Sequence, residues 1–170
     1  RITFSVKGDY TERMYSEVKK GDVLWLKPPY GSFSFPEKSG TEIILIAGGT
    51  GITPFISFLE YAIDEKIKNK INLYYGIRSP EYLIFNSLLK ECNDYLNEFG
   101  YHIYIERDCY KCMLNDVENG ILSIESIMKD INDYTNTIYY LSGPQQMIAN
   151  FKKELLGNGI LENKIKVDEW

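Results

Sequence analysis

The run Gly48-Gly49-Thr50-Gly51-Ile52-Thr53-Pro54 is the segment of this 170-residue chain best suited to hold an anion. Glycine has no Cβ, so a phosphate can approach the backbone closely, and it accepts positive φ. Thr53 is the expected N-cap, and Pro54 suits a first helical turn, where a missing N–H costs nothing. A helix starting there turns its free N–H groups and positive dipole end toward the loop, which favours a diphosphate. No Lys-Ser/Thr pair follows, as nucleoside triphosphate hydrolysis would need, and Pro54 takes the third glycine position of the G-x-G-x-x-G fingerprint. A second glycine turn, Ser142-Gly143-Pro144, has the same strand-to-helix setting. If the strands before the two loops are neighbours, one loop can hold a diphosphate and the other the ring attached to it.

Other chemistries find little support. A single histidine, His102, argues against serine or cysteine triads. Three cysteines are too few for a disulfide framework or an iron–sulfur cluster. Cys109-x-x-Cys112 would need two further ligands to bind zinc, so the pair reads as surface thiols, with no metal site expected. A reducing, cytoplasmic setting follows. The net charge of −5, from 19 basic and 24 acidic residues without a basic block, argues against nucleic acid. No apolar run approaches the ~20 residues of a membrane helix, so no membrane segment is expected.

The elements that must position these loops follow from periodicity. Residues 2–7 alternate like a half-buried strand, Thr11 can cap a short helix bearing Met14, Tyr15 and Val18 on one face, and 23–27 reads as a second strand. Residues 36–42 form a polar linker. Beyond it, 43–47 is a continuous apolar run, as a strand buried on both faces requires. Strands at 71–75, 102–106, 137–141 and 165–168 alternate with helices at 52–66, 81–96, 124–131 and 145–156, and 108–120 reads as an irregular loop. Five strands alternating with helices predict a doubly wound parallel α/β domain over 41–170. Its ligand belongs outside the carboxyl ends of the strands.

The order of four motifs resembles the ferredoxin–NADP⁺ reductase superfamily: residues 43–54, then Tyr75-Gly76-Ile77-Arg78, then Ser142-Gly143-Pro144-Gln145-Gln146-Met147, then a carboxylate just before a terminal aromatic. Residues 1–40 look like the closing part of that family's antiparallel flavin-binding β-barrel, and Val6-Lys7-Gly8-Asp9-Tyr10-Thr11 is nearest in wording to the ferric reductase and NADPH oxidase branch. The resemblance implies NADPH or NADH as cofactor, with FAD in the intact protein. It implies that Gly48, Gly49, Thr50 and Gly51 hold the pyrophosphate, with Thr53 and Pro54 opening the helix behind them. Arg78 and Ser79 would line the adenosine side and Gly143 and Pro144 would flank the nicotinamide, with Gly76 and Met147 also in the cofactor site. Gly8, Tyr10 and Thr11 would meet flavin phosphate. Trp170 would cover the flavin ring or serve as a C-terminal core anchor.

Two departures stand out. Ser142 replaces the family's usual cysteine, and the family's glutamate becomes Asp168 with Glu169 beside it; either carboxylate could orient the nicotinamide or relay a proton. Arg13-Met14-Tyr15-Ser16 matches the R-x-Y-S flavin motif by letter but falls in the helix expected behind Thr11. The true motif and most of the barrel are then missing, so the chain reads as an excised piece that binds FAD weakly or not at all. An upstream flavin segment, and a membrane haem domain that would place this chain on the cytosolic face, are the expected complements. The activity implied is hydride transfer from NAD(P)H to flavin, with onward passage to an acceptor protein, a haem domain or a metal chelate. Arg107, with Arg78, could pair with a 2′-phosphate; Glu106 and Asp108 could instead accept from a free 2′-hydroxyl. A nucleotide-sensing module without redox work and an electron-transfer subunit of a larger dehydrogenase are the competing readings.

Overall fold

The five apolar residues 43–47 form the centre of the fold, each with no exposed surface. The computed structural model describes residues 3–25, 27, 32–36, 40–107, 117–131, 133, 134 and 136–168. It divides into two compact units, Arg1–Ser32 and Phe33–Trp170.

In the first unit, helix α1 (Asp9–Glu17) follows Gly8 and buries none of its residues. Thr11 is the third residue of this helix rather than its cap. Its Oγ1 accepts from the Lys7 N–H at 2.6 Å and donates to the Gly8 carbonyl at 3.2 Å, tying the entry loop to the first turn. Of the segments expected as strands, 2–7 and 23–27, residues 3–7, 23–25 and 27 form no ladder among the described residues. Alternation of side chains makes a strand only where a hydrogen-bonded neighbour exists.

Among its described residues the second unit carries a sheet of six strands, one more than expected: β1 (Glu42–Gly48), β2 (Ile71–Ile77), β3 (Phe99–Ile105), β4 (Val117–Asn119), β5 (Thr137–Ser142) and β6 (Ile165–Val167). All described pairings are parallel, in the order β4-β3-β2-β1-β5-β6. The added strand, β4, is three residues of mixed polarity at the edge, within the stretch expected as a loop. Three residues at an edge carry too little pattern to stand out from a loop.

Helices α2 (Thr53–Asp64) and α3 (Asn86–Tyr95) cover one face, packing Phe55, Phe58, Leu59, Leu89 and Cys92 against β1 to β3. Helices α4 (Ile124–Lys129) and α5 (Gln145–Gly157) cover the other with Ile127, Ile148, Phe151 and Leu155. Full burial of each such side chain contributes about 1.5–3 kcal/mol. Phe33 and Phe35 pack on the first face, Phe33 stacking on Phe58 at 5.5 Å, and Tyr140 Oη donates to the Ser34 carbonyl at 3.0 Å. Residues 81–85, expected as helix, are instead a short 3₁₀ turn and a left-handed Phe85 (φ 63°).

Buried tyrosines cross the second face. Tyr74 Oη donates to Asp130 at 3.1 Å, but Tyr139 Oη, also buried, has no partner among the described residues. Burial raises the Tyr139 phenol well above the ordinary tyrosine range, so it stays neutral. An orphaned buried hydroxyl costs about 1–3 kcal/mol. Tyr139→Phe is therefore expected to raise the melting temperature by roughly 2–4 °C, at about 1 kcal/mol gained. A lower melting temperature would show that the hydroxyl has a partner in solution.

Candidate functional site

The winding direction reverses between β1 and β5, which lie side by side with Ala47 opposite Ser142. Doubly wound sheets bind ligands at such a switch point, outside the carboxyl ends of the strands. Both glycine turns are here: one leaves β1 into α2, the other leaves β5 into α5.

After β1 the chain makes a 3₁₀ turn, Gly49–Ile52, that runs directly into α2, with Pro54 in its first turn. Thr53 is thus the first residue of α2 and not its N-cap; its Oγ1 donates to the Thr50 carbonyl at 2.7 Å. The backbone N–H of Thr53 already reaches the same carbonyl, so the turn closes without a side-chain cap. Gly49 has φ 56°, and a Cβ built on it would meet nothing within 4 Å, so this left-handed corner faces open space above the helix. A corner of this kind, ahead of a helix N-terminus, is open to an approaching anion.

Gly51 has a different reason to be glycine. It is buried, and a Cβ there would overlap the Ser142 carbonyl and lie 2.5 Å from the Gly143 nitrogen. Its missing side chain makes room for the other loop's backbone, not for a phosphate. Gly143, at φ 151°, approaches the Gly48 backbone in the same way: a Cβ would fall 3.0 Å from Gly48 Cα. Met147, one turn into α5, fills the space under both, its Sδ 2.6 Å from a Cβ placed on Gly48, where Pro144 Cδ also lies at 2.9 Å. The two turns form one interlocked unit. Gly76, opposite Gly48 on β2, admits Leu122, whose Cβ would lie 3.1 Å from any Cβ there.

Ser142 is fully enclosed, with no exposed surface. Its Oγ donates to Asp168 Oδ2 at 3.0 Å, and the Asp168 N–H donates to the Leu141 carbonyl at 2.9 Å, just beyond β6. Nothing in the residue pattern had signalled this pairing across 26 positions. Glu169 and Trp170 lie outside the described residues, as do Cys109, Cys112 and Asp108.

Arg78 and Arg107, expected on the adenosine side of a bound cofactor, leave β2 and β3 together: the Arg107 N–H donates to the Arg78 carbonyl at 2.9 Å. Both side chains are exposed, and neither forms an ion pair among the described residues. Ser79 is engaged locally, its hydroxyl holding the Glu81 carboxyl below the usual range. In the first unit, Tyr10 is exposed and the Thr11 hydroxyl is taken up by its own entry loop. Arg13 to Ser16 lie within α1, where Arg13 pairs with Glu17 at 3.2 Å and Ser16 Oγ donates to the Glu12 carbonyl at 2.9 Å. Among the described residues no group of three or more His, Cys, Asp or Glu could hold a metal ion, and no helix is long and apolar enough to cross a membrane.

Fold and glycine turns together define a dinucleotide-binding α/β domain. Residues 45–153 match the family model described as the oxidoreductase NAD-binding domain, and the chain belongs to that family. It is 39% identical over 158 residues to a flavohemoprotein of Candida albicans, the alignment covering 87% of this chain and 37% of that protein. Its fold is similar to the FAD/NAD-binding domain of a nitric oxide dioxygenase from Vibrio cholerae, with TM-score 0.82, 21% identity, and coverage of 96% of this chain and 65% of that one. A ferredoxin NADP⁺ reductase from Neisseria gonorrhoeae, solved with FAD and NADP, gives TM-score 0.77 at 21% identity over 96% of this chain and 70% of that one. The chain thus spans less than half the length of the Candida flavohemoprotein, and 39% of that of its Rhizobium meliloti counterpart, to which it is 29% identical.

Proposed function

We propose that this chain is the nucleotide-binding part of an NAD(P)H-dependent flavin oxidoreductase. The observation that carries the reading is the Gly49 corner, open above the start of α2 and locked through Gly51 to the Gly143 turn. The residues fit the group. Backbone N–H groups of the Gly49–Ile52 turn would bind the diphosphate, and the fixed Gly143-Pro144 turn would set the nicotinamide's direction. Bound reduced nicotinamide supplies a hydride, which FAD accepts and can release as single electrons.

The protein's own task is placement. Asp168, half-buried at the end of β6 beside the Gly143 turn, is the carboxylate that would accept from the nicotinamide's amide. Gly8, Tyr10 and Thr11 would meet flavin phosphate as part of a larger flavin domain. Residues 1–32 expose Val23, Trp25, Tyr10 and Tyr15, so flavin affinity would reside mainly in segments that complete this unit. The relatives that support the reading include flavohemoproteins, and electrons would pass onward to an acceptor such as a haem domain, an acceptor protein or a metal chelate. A cytoplasmic setting accords with this chemistry.

The test uses the intact protein loaded with FAD. NADPH or NADH is added without oxygen, and flavin absorbance is followed. Rapid bleaching is expected. Tight nucleotide binding without bleaching would leave a binding module and contradict the redox reading.

A further inference from the structure

We infer that Ser142 is a positioning residue, whose hydroxyl holds the Asp168 carboxylate beside the Gly143 turn. This deepens the function proposed above and rests on it. The β5–β6 ladder ends at Leu141 opposite Val167, so Asp168 is the first residue beyond the pairing, where a strand end would fray. Here it does not hang free. Two consecutive residues of β5 grip it: the Leu141 carbonyl accepts its N–H at 2.9 Å, and Ser142 Oγ donates to its Oδ2 at 3.0 Å.

The burial pattern fixes the direction of the effect. Ser142 has no exposed surface, so its hydroxyl cannot reach a ligand outside the sheet. Asp168 is only partly buried, and its Oδ1 has no partner among the described residues. One carboxylate oxygen is anchored inward and the other remains to accept a hydrogen bond. A primary amide, such as the nicotinamide carboxamide, is the donor class that this free oxygen suits. The bond from Ser142 to a carboxylate is charge-assisted, and losing such a bond is worth about a tenfold change or more. The hydroxyl acts through Asp168.

The test compares wild type with Ser142→Ala, Ser142→Cys, Asp168→Ala and the double variant Ser142→Ala/Asp168→Ala, all as intact FAD-loaded protein. Without nucleotide, exchange of the Asp168 amide hydrogen should quicken about tenfold in Ser142→Ala. Ser142→Cys, which keeps a weak donor in the same space, should recover part of the protection. With saturating nucleotide, flavin reduction should slow about tenfold in Ser142→Ala, and the double variant should be no slower than Asp168→Ala. Affinity for ADP-ribose, which has no nicotinamide, should be unchanged. Unaltered exchange at Asp168 in Ser142→Ala, or losses that multiply in the double variant, would overturn the inference. If wild type bleaches no flavin at all, the proposed function fails while the exchange result still decides the clasp.

Discussion

Gly51→Ala is expected to remove measurable nucleotide binding, a loss of at least about 100-fold, or ~2.7 kcal/mol. The added methyl would collide with the Ser142 carbonyl and the Gly143 nitrogen, both backbone atoms of an adjacent strand end that cannot rotate away. One loop must therefore move off the other. Overpacking of this kind typically costs about 1–3 kcal/mol in stability, and a backbone-to-backbone collision belongs at the upper end. Calorimetry with NADPH and NADH checks the binding, and a thermal melt checks the stability. Gly157→Ala is the control: it lies at the end of α5 with nothing within 4 Å of an added Cβ, and stability should be unchanged or slightly raised. Normal affinity in Gly51→Ala would show that the two turns need not touch for the ligand to bind.

Removing both arginines, Arg78→Ala with Arg107→Ala, is expected to weaken NADPH about 100-fold and NADH less than threefold. The two residues are tied at the backbone at the sheet's carboxyl edge, exposed, and without ion pairs among the described residues, so both side chains are available to a ligand there. A charge-assisted bond to phosphate contributes about 1.5–3 kcal/mol, and solvent exposure puts each of these at the lower end. Raising the salt concentration should weaken NADPH binding to wild type more than to the double variant. Equal losses for both nucleotides would assign the arginines to the diphosphate, or would favour Glu106 as the group facing a free 2′-hydroxyl.

Most of the α/β architecture was legible because its signals are long or repeated. The apolar run 43–47 could only be a strand covered on both sides, and helices alternating with strands leave few topologies open. The adjacency of β1 and β5, which the sequence left as a condition, is met in the sheet and brings the two glycine turns together. What could not be read was local. Thr53 has the chemistry of a cap, yet the 3₁₀ turn ahead of it removes the need for one. Gly51 and Gly49 look alike as letters, but one faces a neighbouring backbone and the other faces solvent; only coordinates tell close packing from an open cradle. Residues 2–7 alternate as a strand should, but alternation cannot supply a partner, and among the described residues 3–7 pair with none. The Ser142–Asp168 bond joins residues 26 apart through strand register, a relation no spacing encodes.

The most direct measurement is a residue-by-residue amide NMR titration with NADPH. Binding at the switch point predicts that the largest shifts fall on Gly49, Thr50, Gly51 and Gly143, with weaker ones at Arg78 and Arg107. Shifts confined to the opposite edge of the sheet, where Gly40, Lys68, Lys70 and Asn136 line a groove of ≈ 270 Å³, with both glycine turns silent, would contradict it.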